Sequence, residues 1–405
     1  MKTVQINMCS DGSTGKIMLH VAETARQHGH ESETFSTHQF SVKYKKLPSA
    51  PECHNYFGSY FENAIHYILG TRVGFNGCWS FFSTARLVRK LKKIKPDILH
   101  LHNLHGFCIN LPLLFGYIKK HKVKTVWTLH DCWAFTGQCP HFDMIGCEKW
   151  KTGCSECPQY NAYPKCSFDH SEIMWKKKKK WFSDVHVLVL VTPSEWLAGL
   201  VKQSFLKDYP VKVINNGIDL SVFRPVESDF RSKYGLYDEY IVLGVSFGWS
   251  NRKGLDVFCE LSERLDNGYR IVLVGTDEKT EALLPEKIIS IRRTDSQTEL
   301  AEIYSAADLF VNPTREENYP GVNMEALACG TPVLTFGTGG SPEIINESCG
   351  FSVEKDNIDE LEKQIKRICE EKPYSAAACI ERARSFDMKD RYREYVELYE
   401  ETAND

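Results

Sequence analysis

DLFVNPTREENYPGVNMEALACGTPVLTFG, residues 308–337, reads as a strand, a loop, a short helix and a second strand. DLFVNPT and TPVLTFG are apolar runs of strand length, and the helical VNMEALAC between them is stopped by Gly330, with Pro332 just beyond. Strand–helix–strand in so short a stretch is the repeating unit of a parallel α/β sheet. Its loop carries two glutamates eight residues apart. Asn318-Tyr319-Pro320-Gly321 is a turn, and the first free N–H groups of the helix, near Gly321, Val322 and Asn323, point into it. Glu317 lies just before this loop and Glu325 about one turn inside the helix. Both carboxylates can reach one ligand that also rests on the helix N-terminus. A phosphate suits the N–H groups and sugar hydroxyls suit the carboxylates. A capping box fails as an explanation, because Gly321 and Val322 carry no capping side chain.

The same alternation extends outward in both directions. YIVLGVSF, a helix over 254–266, YRIVLVGT, IISIRRT and a helix over 298–305 precede the opening stretch, and from Ile358 the chain is helical and highly charged. Earlier, TVQINMC, a helix over 16–28 with Gly29 at its C-cap, DILHLHN, the helical LPLLFGYIKKH and VKTVWTLHD repeat the pattern. VHVLVLVTPSEWL, with Ser194 as N-cap, and PVKVINNGID follow. The polar residues 226–238 read as an inter-domain passage. The predicted fold class is therefore α/β, with two doubly wound Rossmann-like domains facing a cleft. Their expected limits are 1–190, with a cysteine-rich insertion at 132–166, and 191–385. Residues 386–405 form a helix expected to pack back on the first domain. Ligands of such sheets bind beyond the carboxyl ends of the strands, which directs the search to the cleft.

The chain has 405 residues, enough for two cores. MKTVQINMCS lacks a basic-then-apolar signal pattern and no apolar run reaches membrane-span length, so a cytoplasmic protein is expected. Residues 1–190 hold 25 Lys and Arg against 14 Asp and Glu, and the remainder 25 against 39. Opposite-signed halves fit domains with different partners. The basic charge concentrates in MWKKKKKWFSD and RLVRKLKKIKPD, where aromatic and apolar neighbours suit an anionic membrane surface. No aromatic or helical reader motif accompanies it, so nucleic acid is not an expected partner. Of the 15 cysteines, Cys139, Cys147, Cys154 and Cys157 fall within nineteen residues. A closing C-x-x-C pair plus two further thiols suits one structural zinc, with disulfides or free thiols as the alternatives.

Three further loops carry candidate chemistry. SDGSTGKI, residues 10–17, fails as a P-loop, having Ser10 and Ile17 where a Gly and a Ser or Thr belong. It remains a Gly-rich turn in which Gly15 permits close backbone approach. HLHNLHG and TLHDCW place His102, Asn103, His105, His130 and Asp131 at two strand ends, with His130 the leading ligand-facing residue. SFGWSNRKGLD sets Arg252 and Lys253 at a helix start, where the macrodipole disfavours cations and an anion partner is implied.

At these residues the chain resembles the retaining GT-B glycosyltransferases of family 4. The resemblance rests on Glu317 and Glu325 with ALACGTPV following, PSEWL, NNGID and GTGGSPE at 337–343. It covers nearly the whole chain. HLHNLHGFCIN, TLHDCWAFTGQC and RKGLD make it most similar to transferases of bacterial capsule, exopolysaccharide and lipopolysaccharide assembly, including colanic-acid-type enzymes. The resemblance implies a nucleoside diphosphate sugar donor, UDP- or GDP-linked, and a glycan or polyprenyl-diphosphate-linked acceptor. Glu317 with the Asn318–Gly321 amides would hold the donor sugar, Glu325 the ribose, Lys253 the leaving diphosphate, and His130 the sugar. Arg292 to Thr294 would cover the base, and His102, Asn103 and Asp131 would lie on the acceptor or sugar side. No Asp-x-Asp pair is present, so no catalytic cofactor is expected. One departure stands out: Phe247 occupies the position of the family's arginine six residues before the lysine, and Arg252 is the candidate substitute. Two other classes share this pattern, a nucleotide-sugar epimerase of the same architecture and a catalytically silent nucleotide-sugar-binding protein.

Overall fold

The structure is a computed structural model that describes residues 1–37 and 53–404. The chain divides into two compact units, Met1–Ile214 with the residues from Tyr392 onward, and Asn215–Arg391. In the first unit the strands are β1 (Lys2–Ile6), β2 (Glu31–Ser36), β3 (His54–Tyr56), β4 (Ile98–Leu101), β5 (Thr125–Thr128), β6 (Leu188–Thr192) and β7 (Val211–Val213). They form one sheet in the order β3-β2-β1-β4-β5-β6-β7, and every neighbouring pair is parallel. The cause is visible in the burial. Val4, Ile6, Ile98 to Leu101, Leu190 and Val191 are all fully or nearly fully covered, as they must be in strands with helices on both faces. Helix starts are locally specified: the Asn110 side chain accepts from Leu113 N and the Ser194 side chain from Leu197 N.

The second unit repeats the plan with β8 (Tyr240–Val245), β9 (Tyr269–Val274), β10 (Ile288–Ile291), β11 (Leu309–Asn312), β12 (Val333–Phe336) and β13 (Gly350–Val353). Their order is β10-β9-β8-β11-β12-β13. In each sheet the order reverses once, between β1 and β4 and between β8 and β11. Those reversals are the topological switch points where doubly wound sheets receive ligands.

Two expected boundaries move. The 190/191 division would cut β6, which pairs with both β5 and β7 in the first sheet. Residues 226–238 belong inside the second unit. Phe230 is buried there, and Arg231 reaches Asp308 at 2.5 Å and the carbonyls of Leu236 and Glu239. Polarity marked this segment as exposed, but one aromatic and one arginine fasten it to the core.

The helix Met388–Asn404 supplies the first unit from Tyr392 onward. Tyr395 and Tyr399 are buried, and the Tyr399 hydroxyl lies 2.5 Å from His100 Nδ1.

All fifteen cysteines are free thiols, so the disulfide alternative is not realised. Cys139, Cys147, Cys154 and Cys157 line one cavity together with Phe142 and Trp150. Among the described residues no group of three or more His, Cys, Asp or Glu side chains is arranged to hold a metal ion. The thiols line a common space that aromatic rings share. The lysine run is also uneven. In the helix Ser171–Phe182, Lys178 is fully buried while its neighbours in the run are exposed. Its ammonium donates to Trp133 O at 2.6 Å and Thr136 O at 3.1 Å and lies 3.6 Å from the Trp133 ring centroid. Burial pulls its pKa down to about 7.

Candidate functional site

In the second unit, the loops after β8 and β11 flank the switch point. The loop after β8 ends in a 3-10 turn, Asn251–Lys253, followed by Gly254 at φ +76°. A side chain at Gly254 would meet Pro313 O at 2.5 Å, so glycine lets the two loops touch. Arg315 locks them. It donates to both carboxylate oxygens of Asp256 at 2.8 Å, to Asp356 at 2.6 Å and to Asn251 O, while its own N–H donates to Arg252 O. A bidentate arginine with low exposure is a rigid fastener.

This clamp brings Lys253 Nζ to 2.5 Å from Glu317 Oε2. The other oxygen, Glu317 Oε1, accepts from Asn318 N at 3.1 Å. Two residues chosen from sequence for separate tasks therefore hold each other. A donor diphosphate approaching Lys253 would exchange one anion for another, which leaves Glu317 available to hydroxyls. The Arg252 guanidinium donates to Glu316 O at 3.2 Å, so one of its N–H groups holds loop structure.

Glu325 sits one turn into the helix Gly321–Ala328. Its Oε2 accepts from the buried Tyr304 hydroxyl at 3.1 Å, and its Oε1 lies 4.0 Å from where a Cβ on Gly321 would stand. The carboxylate is thus held back along the helix toward the N-terminal turn, beside Glu317's loop. Below it, Asn312 Nδ2 donates to Asn323 Oδ1 at 2.7 Å, and the buried Asn323 Nδ2 has no hydrogen-bond partner among the described residues.

Other predicted residues of this unit are placed differently. Tyr319 points into the core, 5 % exposed, with its ring edge-on to Phe386 at 6.2 Å. Only its backbone belongs to the loop, since Asn318, Tyr319 and Pro320 are buried in succession. Pro320 is buried and Val322 half-buried. Arg292 is a surface residue paired with Glu278 at 3.1 Å and Glu281 at 2.7 Å. Thr294 is half-buried two residues on. Phe247 is 98 % exposed and brings no cation. The sequence reading missed Arg315, Tyr304 and Gly339. The last has φ +56°, and a Cβ there would fall 1.7 Å from Glu317 O, while Gly340 N donates to Asn318 O at 2.8 Å. Glycine in GTGG is required because this loop backs directly onto the Glu317 peptide.

In the first unit the candidates gather beyond β1, β4 and β5. Asn7, also missed, is fully buried and accepts from Asn103 N while donating to Cys9 O and Thr14 Oγ1. It ties the loop after β1 to the loop after β4. Gly15 approaches the chain's own backbone: a Cβ there would meet Ser10 C at 2.5 Å. Asp131 faces His105, with 2.9 Å between Oδ2 and Nε2, and its Oδ1 accepts from Trp133 N. Burial raises its pKa, but His105 and the Trp133 amide outweigh that and hold it down at about 2. His102 is fully buried and lies behind His130, with Nδ1 to Nε2 at 3.1 Å and the rings stacked. Asn103 and His130 remain half-buried.

Burial also lowers the pKa of four histidines here, His66 to about 3, His130 to about 4, and His100 and His102 well below 6.5. Their folded values lie under the unfolded one. The stability they contribute is therefore complete above pH 6.5 and is lost as the pH falls through the folded values. Urea midpoints should drop from pH 6.5 to about 5, with a slope of up to about 1.4 kcal/mol per pH unit for each histidine. A flat midpoint across that window would contradict this placement.

Comparisons with known proteins agree with this geometry. Residues 14–222 match the model of Glycosyltransferase Family 4, just over half the chain, and residues 239–371 match Glycosyl transferases group 1. The chain is 28 % identical over 280 residues to WcaC of Escherichia coli K12, named for colanic acid biosynthesis glycosyl transfer, covering 66 % of each chain. It spans about two thirds or less of the length of the curated relatives it matches. Sucrose-phosphate synthase from Thermosynechococcus elongatus superposes with a TM-score of 0.71 at 19 % identity, over 99 % of this chain and 98 % of that one. Anabaena HepE, solved in complex with UDP-glucose, gives 0.68 at 15 %, over 99 % and 100 %. Two parallel Rossmann-like sheets of reversing order are the GT-B architecture, and the chain belongs to the family 4 glycosyltransferases.

Proposed function

We propose that this protein transfers a sugar from a nucleoside diphosphate sugar to a glycan or lipid-linked acceptor in bacterial surface polysaccharide synthesis, with retention at the anomeric carbon. The observation that carries this reading is the Lys253–Glu317 pair standing beside the N-terminus of the helix Gly321–Ala328, with Glu325 braced by Tyr304. Two touching loops thus offer a cation and amide donors for phosphate oxygens and two carboxylates for hydroxyls. The charge that builds on a departing diphosphate is what these groups are placed to stabilise. Glu317 is assigned to hydroxyl binding, since a diphosphate that takes Lys253 frees its Oε2 while the Asn318 amide still holds Oε1. The similarity to HepE, which was solved with UDP-glucose, supports a UDP-sugar as the first donor to test.

The test is a panel of UDP-, GDP- and ADP-sugars read first by thermal shift, since at a fixed concentration a tighter-bound donor stabilises more. NMR of the product's anomeric configuration follows. Inversion would overturn retention, and a free isomer formed without acceptor would point to an epimerase.

The acceptor reading rests on the first unit. The adjoining helices Tyr60–Arg72 and Phe81–Ile94 are linked by Glu62, which accepts from Ser83 N and Arg86. They expose Phe61 at 74 %, Ile68 and Phe82. Arg86, Arg89, Lys90, Lys92 and Lys93 are exposed on the second helix. Among the described residues no helix is long and apolar enough to cross a membrane. An apolar ridge with a basic flank instead suits peripheral docking on anionic lipid. The protein should float with vesicles containing anionic lipid, and F61D/F82D should cut the bound fraction several-fold. Equal binding to neutral vesicles would sink the membrane reading.

A further inference from the structure

His130 does not stand alone. Behind it His102 is fully buried, with Nδ1 3.1 Å from His130 Nε2 and Nε2 3.0 Å from the side-chain amide of Gln5 on β1. The Gln5 amide satisfies its surroundings in one orientation only. Its oxygen then accepts from Ala22 N at 3.0 Å, and its nitrogen donates to Met18 O at 3.2 Å and to His102 Nε2 at 3.0 Å. The opposite orientation sets oxygen against oxygen and N–H against N–H, and burial excludes water that could relieve the clash. With Gln5 donating, His102 Nε2 has to be the lone pair, so the single proton of a neutral imidazole sits on Nδ1. That N–H points at His130 Nε2, which is therefore an acceptor, and the His130 proton falls on Nδ1.

We infer that His102, oriented by Gln5, is a positioning residue that fixes His130 as the Nδ1–H tautomer and so decides which edge of that ring can donate a hydrogen bond. The inference rests on the proposed transfer reaction for its consequence in turnover, but the tautomer itself follows from the geometry of the first unit alone. It makes His102 and His130, which follow β4 and β5, a two-layer device. The buried histidine sets the proton, and the half-buried one uses it toward a sugar or phosphate oxygen. His102 follows β4 directly and is fully buried, so it acts only through its neighbour His130.

The decisive measurement is a long-range proton–nitrogen spectrum of histidine-labelled wild-type protein, with His130 assigned by its loss in H130Q. A protonated Nδ1 and a bare Nε2 are expected. A protonated Nε2 on His130 would overturn the inference without any further variant. H102F keeps a ring in place but removes the donor, and should let the Nε2–H tautomer appear. It should also lower kcat by about tenfold, the effect of one oriented hydrogen bond, with donor KM changed less. H102N keeps an N–H near the Nδ1 position and should restore both the tautomer and most of the rate. An unchanged His130 tautomer in H102F would also sink the inference. If the tautomers behave as described while no donor sugar is ever turned over, the positioning stands and the proposed function fails. If sugar is turned over with the opposite tautomer, the proposed function stands and the positioning fails.

Discussion

Replacing Lys253 by alanine is expected to lower kcat by about 10²–10³-fold, the scale lost when one preorganised group opposite a developing charge is removed. The fold should barely register the change. Lys253 and Glu317 keep 23 % and 20 % of their side-chain surface exposed, and a partly solvated pair of this kind contributes about 1 kcal/mol or less. Its 3-10 turn is held independently, by Arg315 on Asp256 and Asn251. The diagnostic pattern is therefore a near-dead enzyme with a thermal midpoint close to wild type. K253R should recover little, because the larger planar guanidinium spreads its charge away from the compact point the ammonium occupies beside Glu317 Oε2. A K253A variant retaining more than about a third of the rate would remove this lysine from the reaction.

The second large effect is expected at Gly339, outside every group that would touch a ligand. A methyl there would stand 1.7 Å from Glu317 O and 2.7 Å from Glu317 C, at a φ of +56°. The neighbour is backbone, so nothing can rotate aside, and the Glu317 peptide must move. G339A should cost about 2–4 kcal/mol, combining overpacking with left-handed strain, and abolish donor binding through the displaced carboxylate. Gly235 supplies the control, with φ +67° and open space around the missing Cβ. There alanine meets only the backbone penalty, about 1–2 kcal/mol. Equal denaturant midpoints for G339A and G235A would show that the close approach carries no weight.

Much of the fold could be read before any coordinates. The apolar runs at Ile98, Thr125, Leu188, Tyr240, Tyr269 and Leu309 became strands where period and length placed them, and the helix Leu111–His121 was delimited by Asn110, Pro112 and its terminal lysines. The loops with chemistry were legible too, because glycine, proline and paired charges at strand ends are unusual in sequence. What could not be read was direction and depth. Tyr319 and Pro320 stand in one turn, yet the tyrosine ring turns inward onto Phe386. Lys178 sits within five identical residues, and only its place on the helix facing Trp133 buries it. Arg315 resembles any surface arginine until Asp256 and Asp356, 59 and 41 residues away, close on it. Long-range partners of this kind leave no local signature.

The path of the chain bears on how the molecule is made. The unit Asn215–Arg391 is continuous in sequence, whereas the other is interrupted and finished only by the residues from Tyr392. Those residues place Tyr395 and Tyr399 against Thr128 and His100, and Glu400 against His30. The portion translated first therefore cannot complete its core until residues 392–404 have left the ribosome, while the portion translated second can already have folded. Until then the carboxyl ends of β4 and β5, where the histidines gather, lack their tyrosine cover. Maturation of that half is accordingly a late closure by a distant piece of the same polypeptide.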